Sequence, residues 1–185
     1  MAKNSILFLC AFLYVGFAPV DQSKSYAYRH SNSEYGYSVL IPKGLKTRTD
    51  PPPLPQHGFR ISLSTEAGCF IWVDGSYNTF DWVNLQEAVD SHLEWLKQEG
   101  TDYVKIRESS VRLGRLQALR SIVRYKSSTT GKWMLQDLVL ALRERKSEVG
   151  ILYTCGLKTL ESRYPKDKEL FEKIIKSWEL RSLPH

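Results

Sequence analysis

Apolar positions along the chain change period several times, and each change marks an element. "GYSVLIP" (Gly36–Pro42) is an extended apolar run broken by Pro42-Lys43-Gly44, which predicts a first strand. "FRISLS" (Phe59–Ser64) and "CFIWVDG" (Cys69–Gly75) alternate and flank Thr65-Glu66-Ala67-Gly68, a glycine-containing connection that predicts a hairpin. Leu85, Ala88, Val89, His92, Leu93 and Leu96 then recur at helical spacing. Asn84 followed by Glu87 is a capping signal and Gly100 an exit, so an amphipathic helix of about four turns is expected there.

From Tyr103 to Leu157 the period returns to two. "YVKIRE", "SVRLG", "LQALRSIVRYKSS", "KWMLQDLVLALRE" and "GILYTCGL" read as successive strands, punctuated by Gly114, Thr129–Lys132 and Lys146–Glu148. Short turns between long runs imply antiparallel neighbours, hence a meander. "MLQDLVLAL" is apolar on both alternations except at Gln136 and Asp137, as a central strand covered on both faces is. Pro165 stands at the first position of a last helix whose stripe is Leu170, Phe171, Ile174, Ile175 and Trp178. The expected fold class is α+β: a central antiparallel sheet with two main helices packed against it. Phe70 and Trp72 alternate with Ile71 and Val73, so one set lines the core and the other needs cover from a helix or a partner.

Ahead of these elements, Lys3 precedes the uncharged apolar block Ile6–Ala18, shorter than the roughly 20 residues that span a bilayer. It reads as an export signal, with cleavage after Ala27, where Ser25 and Ala27 supply small residues. Cleavage at Ala18 and a retained anchor are the alternatives. The expected organisation is a signal peptide over 1–27 and one domain over 28–185, periplasmic or secreted, with no transmembrane span after cleavage. Losing Lys3, Lys24 and Asp21 leaves 24 basic and 19 acidic side chains, a net charge of +5. That mild, dispersed excess favours anionic surfaces but gives no argument for nucleic acid. Cys69 and Cys155 remain, and permit either a disulfide or two buried thiols. Asp50–Pro55 carries four prolines and reads as a stiff connector.

The searchable catalytic motifs are absent: no glycine-rich phosphate loop, no Gly-x-Ser-x-Gly, no His-Glu-x-x-His and no Cys-x-x-Cys. The four histidines are far apart, so neither a metal site nor a cofactor is expected. Pairing Ser64 with Cys69 across the hairpin would set Phe59 against Asp74 and His57 against Ser76. His57, Asp74, Ser76 and Tyr77 then form a candidate binding site at one end of the hairpin. A small hydrolase using His57, Asp74 and Ser76 is the catalytic alternative. Arg120, Arg124 and Lys126 share one alternation, either as a solvated face or as the site of a small anionic ligand.

Taken together, "GYSVLIPKGL", the helix after "WVDGSYN", the "LGRLQALRSIVRY" hairpin with "LVLALRE", and "YPKDKELFEKIIKSWEL" resemble the PsbP-like superfamily, including the DcrB-like exported bacterial proteins. The resemblance runs from about Tyr35 to Leu180. It implies helices on a central antiparallel sheet and an accessory or binding role rather than catalysis. Members bind partners as different as a photosystem's oxygen-evolving apparatus and a small GTPase, so the partner, expected to be a protein, is not named by it. The leader here differs from a plastid transit peptide, and no functional residue is carried over.

Overall fold

The computed structural model describes residues 26–49, 57–65, 68–145 and 148–183. The expected signal peptide, apart from its last two positions, and the proline run Asp50–Pro55 lie outside the described residues.

Seven strands form the main sheet: β3 (Thr47–Thr49), β4 (His57–Ser62), β5 (Phe70–Tyr77), β6 (Gly100–Leu113), β7 (Leu116–Ser127), β8 (Trp133–Arg145) and β9 (Glu148–Leu160). Their order is β3-β4-β5-β9-β8-β7-β6, every neighbour antiparallel. The predicted meander is therefore β6 to β9, and the predicted hairpin, β4–β5, adds to it through β5 and β9. Helix α1 (Leu85–Lys97) covers part of one face; helix α2 (Tyr164–Lys176) and a small second sheet cover the other. The molecule is α+β.

The first apolar run departs from the single-sheet expectation. As β2 (Tyr37–Pro42) it is the centre of a separate three-stranded sheet, between β1 (Tyr26–Asn32) and the C-terminal β10 (Glu179–Leu180). Tyr37, Val39 and Ile41 are fully buried and join Ile71, Val73, Tyr153, Phe171 and Trp178 in one core layer. The strand needs edge partners, and the two ends of the domain supply them.

"YVKIRE" and "SVRLG" also differ from expectation, fusing into the single strand β6. Nothing in Ser109-Ser110 demands a turn, and both residues stay in register with Arg120 and Leu119. Register shifts near Thr101–Val104 and Lys105–Arg107 bend this edge strand, one way an exposed edge is kept from pairing further. The real turn falls at Gly114, whose φ of +56° and close approach to the Trp178 ring both exclude a side chain.

Cys69 packs beneath α1, whereas Cys155 lies in the opposite core layer. Both are free thiols, because the sheet stands between them.

The capping signal of α1 works as read. Asn84 Oδ1 accepts from the Glu87 backbone N–H at 2.9 Å, and the Glu87 carboxylate accepts from Val83 N at 3.1 Å. Ala88, Val89, Leu93 and Leu96 are buried against β7 and β8. Replacing Asn84 with Ala is expected to cost about 1 kcal/mol, read as a lower urea midpoint. Among the described residues, no helix is long and apolar enough to cross a membrane.

Candidate functional site

Helix α1 rests mainly on β6, β7 and β8, so among the described residues the same face of β3, β4 and β5 lies beside the helix rather than beneath it. One cross-sheet rung there reads Arg48, Arg60, Trp72, Gly156, Leu138 from β3 to β8. The Trp72 benzo ring lies on Gly156, where an added Cβ would stand 2.1 Å from it. Phe70 is tilted against Trp72 at 5.4 Å, and the Arg60 guanidinium sits 4.3 Å from the Phe70 centroid. These side chains floor a groove of about 240 Å³. Its far wall is α1, through His92, Trp95 and Leu96, with Glu99 just beyond the helix; Asp74, Gln136 and Lys158 complete the lining. Lys158 and Glu99 form an ion pair across it. The expectation that a helix covers Phe70 and Trp72 is thus met at one edge only: α1 stands beside them, and both stay half-buried.

The aromatic surface continues out of the groove. Trp95 meets Phe80 at 6.0 Å, and Phe80 stacks on Trp82 at 4.9 Å. Phe80 is 62% exposed and Val83 78%, so apolar surface runs from the floor to the loop before α1.

His92 donates Nδ1–H to the Ala88 carbonyl at 3.3 Å, leaving Nε2 as the basic nitrogen. Burial lowers its pKa below the usual 6.5, and the bond to Ala88 opposes this only partly. His30, against Phe59 at 4.6 Å, is lowered by burial in the same way. The unfolded chain therefore binds these protons first as pH falls. Stability from both groups is full above pH 6.5 and is lost as pH drops through the folded values. Urea midpoints at pH 7.5 and pH 5 are expected to show the lower value at pH 5, and His92→Phe should flatten the difference.

The predicted hairpin register is off by one. β4 and β5 pair His57 with Gly75 and Phe59 with Val73, one residue away from the predicted register. The error is in the turn: Leu63 N–H bonds the Cys69 carbonyl, so the connection is longer than four residues. Asp74 enters the groove, with its carboxylate over Gly58. Ser76 follows it on that face of β5, and Tyr77 lies on the other, 5.2 Å from Tyr35. Arg120 and Arg124 are already engaged. Arg120 binds Asp137 at 2.6 Å and Glu172 at 2.7 Å; Arg124 binds Glu161 at 2.8 Å and stacks on Trp133 at 3.5 Å. Carboxylates thus occupy both arginines of the stripe that was a candidate anion site. The half-exposed Phe70–Trp72 pair was the legible signal for the groove, whereas the α1 wall was not legible, because helix placement over a sheet is a tertiary fact. Among the described residues, no group of three His, Cys, Asp or Glu side chains is placed to hold a metal ion.

No family model and no curated protein matches the sequence. Among solved structures, cyanobacterial PsbP (CyanoP) from Synechocystis superposes with a TM-score of 0.60, over 94% of this chain and 98% of that one, at 16% identity. The fold is PsbP-like. LpqN of Mycobacterium tuberculosis, described as involved in cell envelope biogenesis, matches with a TM-score of 0.59 over 79% and 83% at 9% identity. The Saccharomyces cerevisiae Ran-binding protein Mog1p matches at 0.54 over 84% and 96%, with 15% identity. At these identities the likeness is one of fold.

Proposed function

We propose that this PsbP-like protein is an exported, non-catalytic binding protein of the cell envelope or secreted space, holding its partner in the groove between α1 and β4–β5–β9. The observation that carries this is the half-buried aromatic floor on the stretch of sheet that α1 leaves uncovered. None of the side chains lining the groove is a hydroxyl or thiol nucleophile. Of the four residues singled out from sequence, Asp74 is kept as a binding residue; Ser76 borders the site. Export is supported by the leader, and a neighbour described as acting in envelope biogenesis is consistent with it. The regular β1 ladder begins at Tyr28, opposite Ile41, so removing residues 1–27 keeps Tyr28–Asn32 paired.

The test is fractionation and native purification of the protein and its Trp72→Ala variant from the source cells. Recovery outside the cytoplasm with Tyr28 as first residue is expected, together with a co-purifying component that Trp72→Ala loses. A cytoplasmic protein with an intact N-terminus would overturn export. A component retained by Trp72→Ala would overturn the groove.

A further inference from the structure

At its outer end the groove meets a second depression, of about 390 Å³, lined by Gly44–Arg48, Arg60 and Ser62. Arg60 borders both. The two hollows differ in charge. In the groove, Lys158 is matched by Glu99, and Asp74 adds a second carboxylate to the lining. The depression presents Lys46, Arg48 and Arg60 beside Ser62, with no carboxylate in its lining, while the Thr47 hydroxyl is engaged by that of Tyr28. Among the described residues, none of these three cations has a carboxylate partner, although Arg29, Arg120, Arg124 and Arg163 each have one. The register places Arg48 directly opposite Arg60, and like charges so placed destabilise a sheet unless something anionic joins them. Trp72 is next on the same rung. With strands about 4.8 Å apart, two arginines and a tryptophan leave the sheet side by side, and the Arg60 guanidinium lies over the neighbouring Phe70 ring.

We propose that this rung binds a sugar bearing an anionic group, with the ring on Trp72 and its phosphate or carboxylate held by Arg48 and Arg60. The inference rests on the groove reading and assigns its ligand class. Guanidiniums take planar or tetrahedral oxyanions through paired N–H donors, which makes Arg48 and Arg60 the anchor. The apolar C–H face of a pyranose matches an indole face, and Asp74 and Gln136 offer hydrogen-bond partners to ring hydroxyls. The groove is smaller than the roughly 300–1,000 Å³ typical of drug-sized sites, which suits one or two rings.

Calorimetric titration of the protein with a glucose monophosphate, glucuronate, glucose and inorganic phosphate tests this. Both charged sugars are expected to bind about tenfold or more tightly than glucose or inorganic phosphate. The Arg48→Gln/Arg60→Gln double variant, altered only at exposed side chains, removes that advantage, and Trp72→Ala weakens the charged sugars but not inorganic phosphate. Preference for the phosphate identifies a phosphorylated sugar as the source, and preference for glucuronate a uronic acid; either supports the proposal. Glucose binding as tightly as the charged sugars overturns it, and so does inorganic phosphate matching the sugar phosphate. Silence with all four probes overturns it as well. Trp72-dependent co-purification would then leave the groove reading standing, and its loss would remove both.

Discussion

Replacing Asp137 with Ala is expected to lower the unfolding free energy by about 3 kcal/mol or more, a loss typical of breaking a buried ion pair from one side. Asp137 is fully buried and accepts from Arg120 Nε at 2.7 Å, from Arg120 Nη2 at 2.6 Å and from the Tyr164 hydroxyl at 2.7 Å. Burial by itself lowers the Arg120 pKa, but the hydrogen bonds and charges of Asp137 and Glu172 outweigh it and raise the pKa, so the guanidinium stays charged. Without Asp137, a guanidinium whose side chain is only 15% exposed keeps Glu172 alone, and the Tyr164 hydroxyl loses its acceptor. Glu172 is partly exposed and softens the loss, which places it near the lower end of the roughly 3–5 kcal/mol range. Equilibrium urea unfolding measures it. The double replacement Arg120→Met/Asp137→Leu should recover most of the stability, since apolar residues of similar volume avoid the desolvation cost. A loss under about 1 kcal/mol for Asp137→Ala would mean that Glu172 alone satisfies Arg120.

This network explains why charge on β7 was a poor guide to a binding site. Arg120 and Arg124 look like a basic stripe in sequence, because the carboxylates that meet them come from β8, the turn after β9 and α2, between 17 and 52 positions away. Arg48 and Arg60 are less conspicuous, separated by the proline run and divided between two short strands. Only the β3–β4 register brings them together. Local period made the elements legible: α1 with its cap, α2 behind Pro165, the β4–β5 hairpin and the meander all follow from spacing. Register and layer assignment did not follow. A hairpin connection longer than its glycine signal implied set the His57 backbone opposite Gly75 rather than Ser76, a slip of a single residue. β2 read as an ordinary strand of the main sheet, because nothing local announces that its edge partners come from the two ends of the domain.

Gly156→Ala is expected to cost about 1–3 kcal/mol and to take the floor out of the groove. The new methyl would stand 2.1 Å from Cη2 and Cζ2 of Trp72, far inside contact distance, with the strand backbone fixed by pairing to β5 and β8 on either side. The indole has to leave the sheet, because the strand cannot. Trp72→Ala alone loses the burial of a half-covered ring, and in that background the methyl added at Gly156 meets an emptied space. The double variant should therefore be more stable than the two single losses predict, by about 1 kcal/mol or more. Tryptophan emission offers a second reading, since an indole expelled from its place against the strand becomes more hydrated and shifts to the red. Unchanged emission together with unchanged stability in Gly156→Ala would mean that Trp72 is not held flat on β9. Neither the groove nor the anionic-sugar rung would then have a ring platform to stand on.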